Sequence, residues 1–177
     1  MHDSELILQF IDTARKAGAT TEEIESSEEA LCNSLLELTG ESKKILMSEP
    51  RFIPDSLFEK IKEKINIVTE PDAQELAFAE VGITDSFAGV ARTGSACISI
   101  NPGLSSYISL LPRKHIVLLE SKNIVARPRD VFDNYILKDA IEETGWVFIS
   151  GPSATADMGE LVRGVHGPDK LHIILLG

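Results

Sequence analysis

The chain has 177 residues, 43% of them hydrophobic, with a formal net charge of −11 at pH 7 and an isoelectric point near 4.8. That length and composition fit one globular domain, residues 1 to 177, with a buried core. The charge excludes a nucleic-acid surface, because phosphate binding needs clustered Lys and Arg to release counterions.

Helices are predicted first. "SELILQFIDTARKAG" sets Leu6, Ile7, Phe10, Ile11 and Ala14 at helical spacing and stops at Gly18. "TTEEIESSEEALCNSLLELTG" reads as a second helix, with acids in its first turns to complement the dipole, Ile24, Leu31, Leu35 and Leu38 on one side, and Gly40 at its end. "PDSLFEKIKEKI" repeats Leu57, Phe58, Ile61 and Ile65 behind Pro54. Residues 1 to 64 are therefore expected to be N-terminal helices packed on an α/β core of residues 65 to 177, since no Pro/Gly/Ser linker divides them. Residues 1 to 50 hold eleven acids and four bases, a solvated face or a docking face for a basic partner.

From Ile65 onward, short β-branched runs alternate with helical stretches, the rhythm of an α/β domain. The expected strands are 65 to 68, a run within 87 to 91, 96 to 100, 115 to 120, 123 to 126, 146 to 150 and 171 to 176. Helices are expected at about 71 to 79 and 128 to 143. No apolar run approaches the roughly 20 residues that cross a bilayer. "MHDSELILQF" lacks the regions of a secretion signal, so a cytoplasmic protein is expected. Cys32 and Cys97 are isolated and outside any CxxC spacing, so any iron-sulfur cluster would belong to a partner. No HxH, HxxxH or HExxH pair occurs, and no metal site is expected.

The polar chemistry gathers near the end, in "GPSATADMGELVRGVHGP", residues 151 to 168. It reads as a loop feeding a short helix, with Thr155 or Asp157 as N-cap. Unpaired N–H groups at such a helix start bind anions, and ligands of open α/β sheets collect at the carboxyl ends of strands. The loop N–H groups with Gly151, Ser153 and Thr155 would hold a carboxylate or single phosphate, and Asp157 would fix the helix start or orient a histidine. Simple capping is the alternative. His166, between Val165 and Gly167-Pro168, reads as a general acid or base or as a hydrogen-bonded turn residue. His115 and His172 read as strand residues with local partners. In "ARTGSACISINPGLSSY", Gly94 permits a tight turn beside Thr93, Asn101-Pro102-Gly103 reads as a turn before a helix start at Ser105 and Ser106, and Arg92 could pair with a carboxylate.

"ISGPSATADMGELVRGVHGPDKLHIILL" resembles the C-terminal signature of the LUD-domain family, of the lactate-utilisation protein C type. Gly151, Pro152, Ser153, Thr155, Ala156, Asp157, Gly164, Val165, His166, Gly167, Pro168 and Leu171-His172 stand in the family's order. "GVARTGSACI" and "LLPRKHIVLLESKNIV" support the likeness, which covers roughly residues 70 to 177. The resemblance implies a three-layer α/β/α sandwich with a mixed, mostly parallel sheet, like that of the sugar-phosphate isomerase and CoA-transferase superfamily. It also implies a role beside two iron-sulfur proteins in oxidising L-lactate to pyruvate. Ala154, Gly159 and Arg92 depart from the more familiar family form, which has a basic residue, a Glu and often a Glu there. Arg92 in place of a glutamate nucleophile speaks against CoA-transferase chemistry.

The reading favoured here is a non-cluster component of a lactate-oxidation system. Its anion site would be built from Gly151, Ser153, Thr155, Asp157, Gly167, Arg92, Thr93 and Gly94, with His166 exchanging a proton with a 2-hydroxyl. The chain would carry no cofactor of its own, take a small carboxylate or phosphate, and be free to form a homo-oligomer. The alternatives are a non-catalytic assembly or regulatory subunit for iron-sulfur partners, and a stand-alone isomerase or transferase acting on a phosphorylated or CoA-linked substrate.

Overall fold

The computed structural model describes residues 2–42, 44–100, 104–136, 145–156 and 159–177. In chain order it runs α1 (His2–Lys16), β1 (Thr20–Ile24), α2 (Glu28–Thr39), β2 (Ile45–Met47), α3 (Asp55–Lys64), β3 (Ile67–Val68), α4 (Ala73–Ala77) and β4 (Val81–Ser86). There follow β5 (Ala88–Val90), β6 (Ser95–Ser99), α5 (Ser105–Leu110), β7 (Lys114–Glu120), β8 (Ile124–Val125) and α6 (Pro128–Val131). The last elements are β9 (Trp146–Ile149), β10 (Ala154–Thr155), β11 (Val162–Arg163) and β12 (Lys170–Leu176).

Six strands form the main sheet in the order β1-β12-β7-β4-β2-β3, with every neighbouring pair parallel. A four-stranded sheet, β8-β5-β6-β9, pairs β6 antiparallel with both β5 and β9. Strand alternation sorts the core into faces. Ile116, Leu118, Ile174 and Leu176 pack with Leu31 and Leu35 of α2 and Leu57 and Ile61 of α3. Their neighbours Val117, Leu119, Ile173 and Leu175 pack with Phe10 and Ala14 of α1 and with Ala96 and Ile98 of the smaller sheet. A third cluster joins Phe87, Val90 and Cys97 to Val131 of α6. The expected mixed α/β fold with a mostly parallel sheet is present. On one face of the main sheet the covering layer is α1 together with the second sheet. No helix among the described residues is long and apolar enough to cross a membrane.

Four expectations are corrected. Residues 20 to 24 are an edge strand, because α2 starts later: Ser27 is its N-cap, with its hydroxyl accepting the Ala30 N–H at 3.3 Å, and Glu28 and Glu29 occupy the dipole-stabilising first turn. The exposed Thr20 and Glu23 of β1 suit an edge that must not recruit another strand. β2, only three residues long, is likewise part of the main sheet, so the reading of residues 1 to 64 as helices alone does not hold. β4 was not expected: Gly82, Thr84, Asp85 and Ser86 disguise a strand that is buried along its whole length. Finally, the helix expected after Ser153 is a hairpin, with Thr155 paired to Val162 and Ala154 to Arg163. Thr155 is thus a strand residue, not a cap. Two glycines, Gly159 and Gly164, weigh against a helix there. Of the helix expected over 128 to 143, residues 128 to 136 are helical and 137 to 143 lie outside the described residues, as does the 101 to 103 turn.

Candidate functional site

After β9 the chain turns at Gly151, whose φ of +75° is open to glycine and strained for other residues. The turn seats against the end of α1, where a Cβ at Gly151 would stand 2.1 Å from the Ala17 carbonyl oxygen. Ser153 then ties the two ends of the signature together. Its N–H donates to the Pro168 carbonyl at 2.8 Å, and its carbonyl accepts the Gly164 N–H at 3.0 Å. Gly167 lies against the same residue: a Cβ there would be 3.4 Å from Ser153 Oγ and 3.5 Å from Leu110 Cδ1.

These contacts enclose a cavity of about 430 Å³. Gly151, Ser153, His166 and Gly167 line it on one side, and Ser106 and Ser109 of α5 on another. The rest of its wall is mainly aliphatic: Ile100, Leu110, Val147, Ile149 and Leu171. Because His115 and Leu171 are the second residues of β7 and β12, the cavity opens at the amino ends of these main-sheet strands. The expectation of a carboxyl-end site fits β9 and, through Ile100, β6, both of which belong to the smaller sheet.

His115 is the lining residue whose role the sequence did not reveal. It is fully buried, its Nε2 lies 2.8 Å from Thr84 Oγ1, and its Nδ1 has no partner. Burial holds its pKa down to about 3, so the ring is neutral at physiological pH. His115 is a strand residue as expected, but its partner is not local: Thr84 stands on β4, 31 residues away. His172 sits elsewhere. Its Nδ1 is 2.7 Å from Thr20 Oγ1 and its Nε2 3.6 Å from Glu22, whose carboxylate accepts the Ser34 hydroxyl. Burial lowers its pKa, against the pull of Glu22.

The other predicted residues lie apart from the cavity wall. Arg92 is exposed, with its backbone N–H donating to the Ala126 carbonyl at 3.1 Å. Thr93 begins a run of hydroxyls, 2.6 Å from Ser95 Oγ, which is 2.6 Å from Ser150 Oγ, one residue before Gly151. Gly94 lets the turn approach α1, where a Cβ would stand 2.2 Å from the Ala14 nitrogen at a φ of +62°. Thr155 is held in the hairpin, and Asp157 lies outside the described residues. The anion reading changes accordingly: the Ser153 N–H is already committed to Pro168, and among the described residues no helix N-terminus follows it. Among the described lining residues there is no Asp, Glu, Lys or Arg, and His166 is exposed at the mouth.

A second cavity, of about 440 Å³, does lie at the carboxyl ends of β2, β3 and β4. Ser48, Thr69 and Asp85 line it, and none of the described residues of the 151 to 168 stretch does. Asp85 Oδ2 accepts the N–H groups of Arg51 and Phe52 at 2.6 and 2.5 Å, and burial raises its carboxyl above the usual range. Cys32 and Cys97 are both fully buried, in different core clusters, and burial raises both thiols. Among the described residues no group of three or more His, Cys, Asp or Glu is placed to hold a metal ion.

The LUD domain matches residues 7–176. The chain is 35% identical over 114 residues to the lactate utilization protein C of an Exiguobacterium species, covering 61% of this chain and 50% of that protein. It is 30% identical over 154 residues to the lactate utilization protein C of Halalkalibacterium halodurans, covering 82% and 66%. A lactate utilization protein B from Bacillus pumilus is 24% identical over 102 residues, covering 55% and 20%. The chain thus spans about half to two thirds of the length of the protein C relatives named here. In fold it is similar to a crystal structure of a DUF162 family protein from Deinococcus radiodurans, with a TM-score of 0.77 at 21% identity, covering 100% of this chain and 99% of that one. The chain belongs to the LUD-domain family.

Proposed function

We propose that this chain is the non-cluster component of a lactate-utilisation system, and that the cavity beside β9 binds a small 2-hydroxy or 2-oxo monocarboxylate. One observation carries the reading: Gly151, Ser153, His166 and Gly167, from the two ends of the polar 151 to 168 stretch, converge on a single cavity. The similarity to lactate utilization proteins C and B supports the process. In this reading the carboxylate stays near the open mouth, where Ser153 Oγ and water solvate it, because the inner wall carries no cation. His166, exposed at the same mouth, accepts the proton of the 2-hydroxyl as the alcohol is oxidised, a task for which imidazole is the usual side chain. Oxidation to the 2-oxo acid also releases the C2 hydrogen as a second proton, taken up by water at the open mouth, and two electrons, which pass one at a time to iron-sulfur clusters on partner proteins. Those partners would meet a face of exposed apolar side chains near the mouth, Tyr107, Leu110 and Leu111 around α5 and Val165 beside His166. The same face favours a second reading, an assembly subunit that docks those partners without catalysing a step itself.

His166→Gln separates the two. In the reconstituted system it is expected to lower lactate-dependent electron transfer by at least about a hundredfold, the low end of general-base contributions, with an unchanged circular dichroism spectrum. Full activity in a folded variant would remove the proton-transfer role and leave the docking reading.

A further inference from the structure

We infer that the cavity is shaped for a 2-hydroxy or 2-oxo acid with a branched aliphatic side chain, not for the methyl group of lactate. The inference rests on the reading of this cavity as a hydroxy-acid site, and it comes from size and wall chemistry. A single water needs roughly 10 to 15 Å³ of such space, so about 430 Å³ has room for several carbons beyond the six heavy atoms of a three-carbon acid. The apolar part of the wall is Ile100, Leu110, Val147, Phe148, Ile149 and Leu171, with two prolines. An aliphatic wall gains nothing from a short polar acid and gains steadily from each methylene placed against it.

The polar groups agree with this division. His115 is neutral and buried, and Ser106 and Ser109 are uncharged, so nothing on the inner wall neutralises a carboxylate. A charged head pushed inward would lose its water without a partner. The acid head therefore stays at the mouth with Ser153 and His166, and the interior receives the side chain. His115 is fully buried behind that wall and holds Thr84 at 2.8 Å. Ligand specificity in this chain then resides in the aliphatic residues of β9, β12 and α5, elements whose backbone positions are set by the two sheets.

The test is calorimetric titration of the full chain with L-lactate and with L-2-hydroxy-4-methylpentanoate. Each buried methylene contributes roughly fourfold in affinity, so the longer acid is expected to bind at least about tenfold tighter once ordering costs are included. Val147→Phe, which fills the interior, is expected to bring the ratio of the two affinities to about one. Ile100→Phe serves the same purpose if the first variant does not fold. Equal or tighter binding of lactate by the wild type overturns this inference and leaves the hydroxy-acid reading standing. Retention of the preference in a folded, filled variant also overturns it. Failure of both acids to bind overturns the hydroxy-acid reading itself.

Discussion

Gly151→Val is expected to lower the unfolding free energy by about 3 kcal/mol or more, read as a shift in the urea midpoint by circular dichroism. Two costs combine at this position. The φ of +75° lies where a branched side chain is strained, at about 1 to 3 kcal/mol. A Cβ would also stand 2.1 Å from the Ala17 carbonyl oxygen, closer than any non-bonded contact allows, so the α1 end and the loop after β9 must separate. Overpacking of that kind costs about 1 to 3 kcal/mol more. Because Ser153 is tied to Gly164 and Pro168, the displacement should carry the cavity wall with it. A loss under about 0.5 kcal/mol would show that the turn is not clamped against α1.

Acidification is expected to destabilise the protein through His115. The folded-state pKa, about 3, lies below the value of about 6.5 for a histidine in an unfolded chain. Between those values the unfolded state binds the extra proton, so stability rises with pH. The contribution is fully present above about pH 6.5 and is lost as the pH falls toward the folded value. From pH 7 to pH 5 the loss amounts to about 2 kcal/mol. His172, whose pKa burial also lowers, acts in the same direction, although Glu22 opposes it. Asp85 acts in the opposite direction, because burial raises its pKa and its folded state holds a proton to higher pH. The contribution of His115 is isolated by comparing wild type with His115→Gln, which cannot titrate and keeps an amide able to reach Thr84. Urea titrations at pH 7 and pH 5 should show the wild type losing about 2 kcal/mol more than the variant. Equal losses would mean that His115 is accessible to protons in the folded state.

The chemistry was more legible in the sequence than its geometry. Strands β7 and β12 read directly as strands because they are long, β-branched and apolar, and the turn residues of the 151 to 168 stretch marked it as a place of polar function. What that stretch becomes was misread, since a Ser/Thr/Asp cluster before an amphipathic run has the same composition whether it caps a helix or opens a hairpin. Thr155 and Val162 are separated by six residues and pair only because the chain doubles back. β4 escaped because its interior polar residues are satisfied by tertiary partners, Thr84 by His115 and Asp85 by the backbone at Arg51 and Phe52, and such partners have no local signature. The same long-range pairing hid His115. Arg92 and Gly94 illustrate the converse: a recognisable motif turns out to seat α1, not to form the cavity wall.

The claim on which the rest depends is that the signature residues build the ligand cavity. It can be examined by following backbone amide shifts of the isotopically labelled chain as L-lactate and L-2-hydroxy-4-methylpentanoate are added. Saturating shifts are expected at Ser106, His115, Ser153, His166 and Gly167, with Ser48, Thr69 and Asp85 unmoved. Shifts confined to Ser48, Thr69 and Asp85, at the carboxyl ends of β2, β3 and β4, would place binding in the second cavity and contradict the assignment.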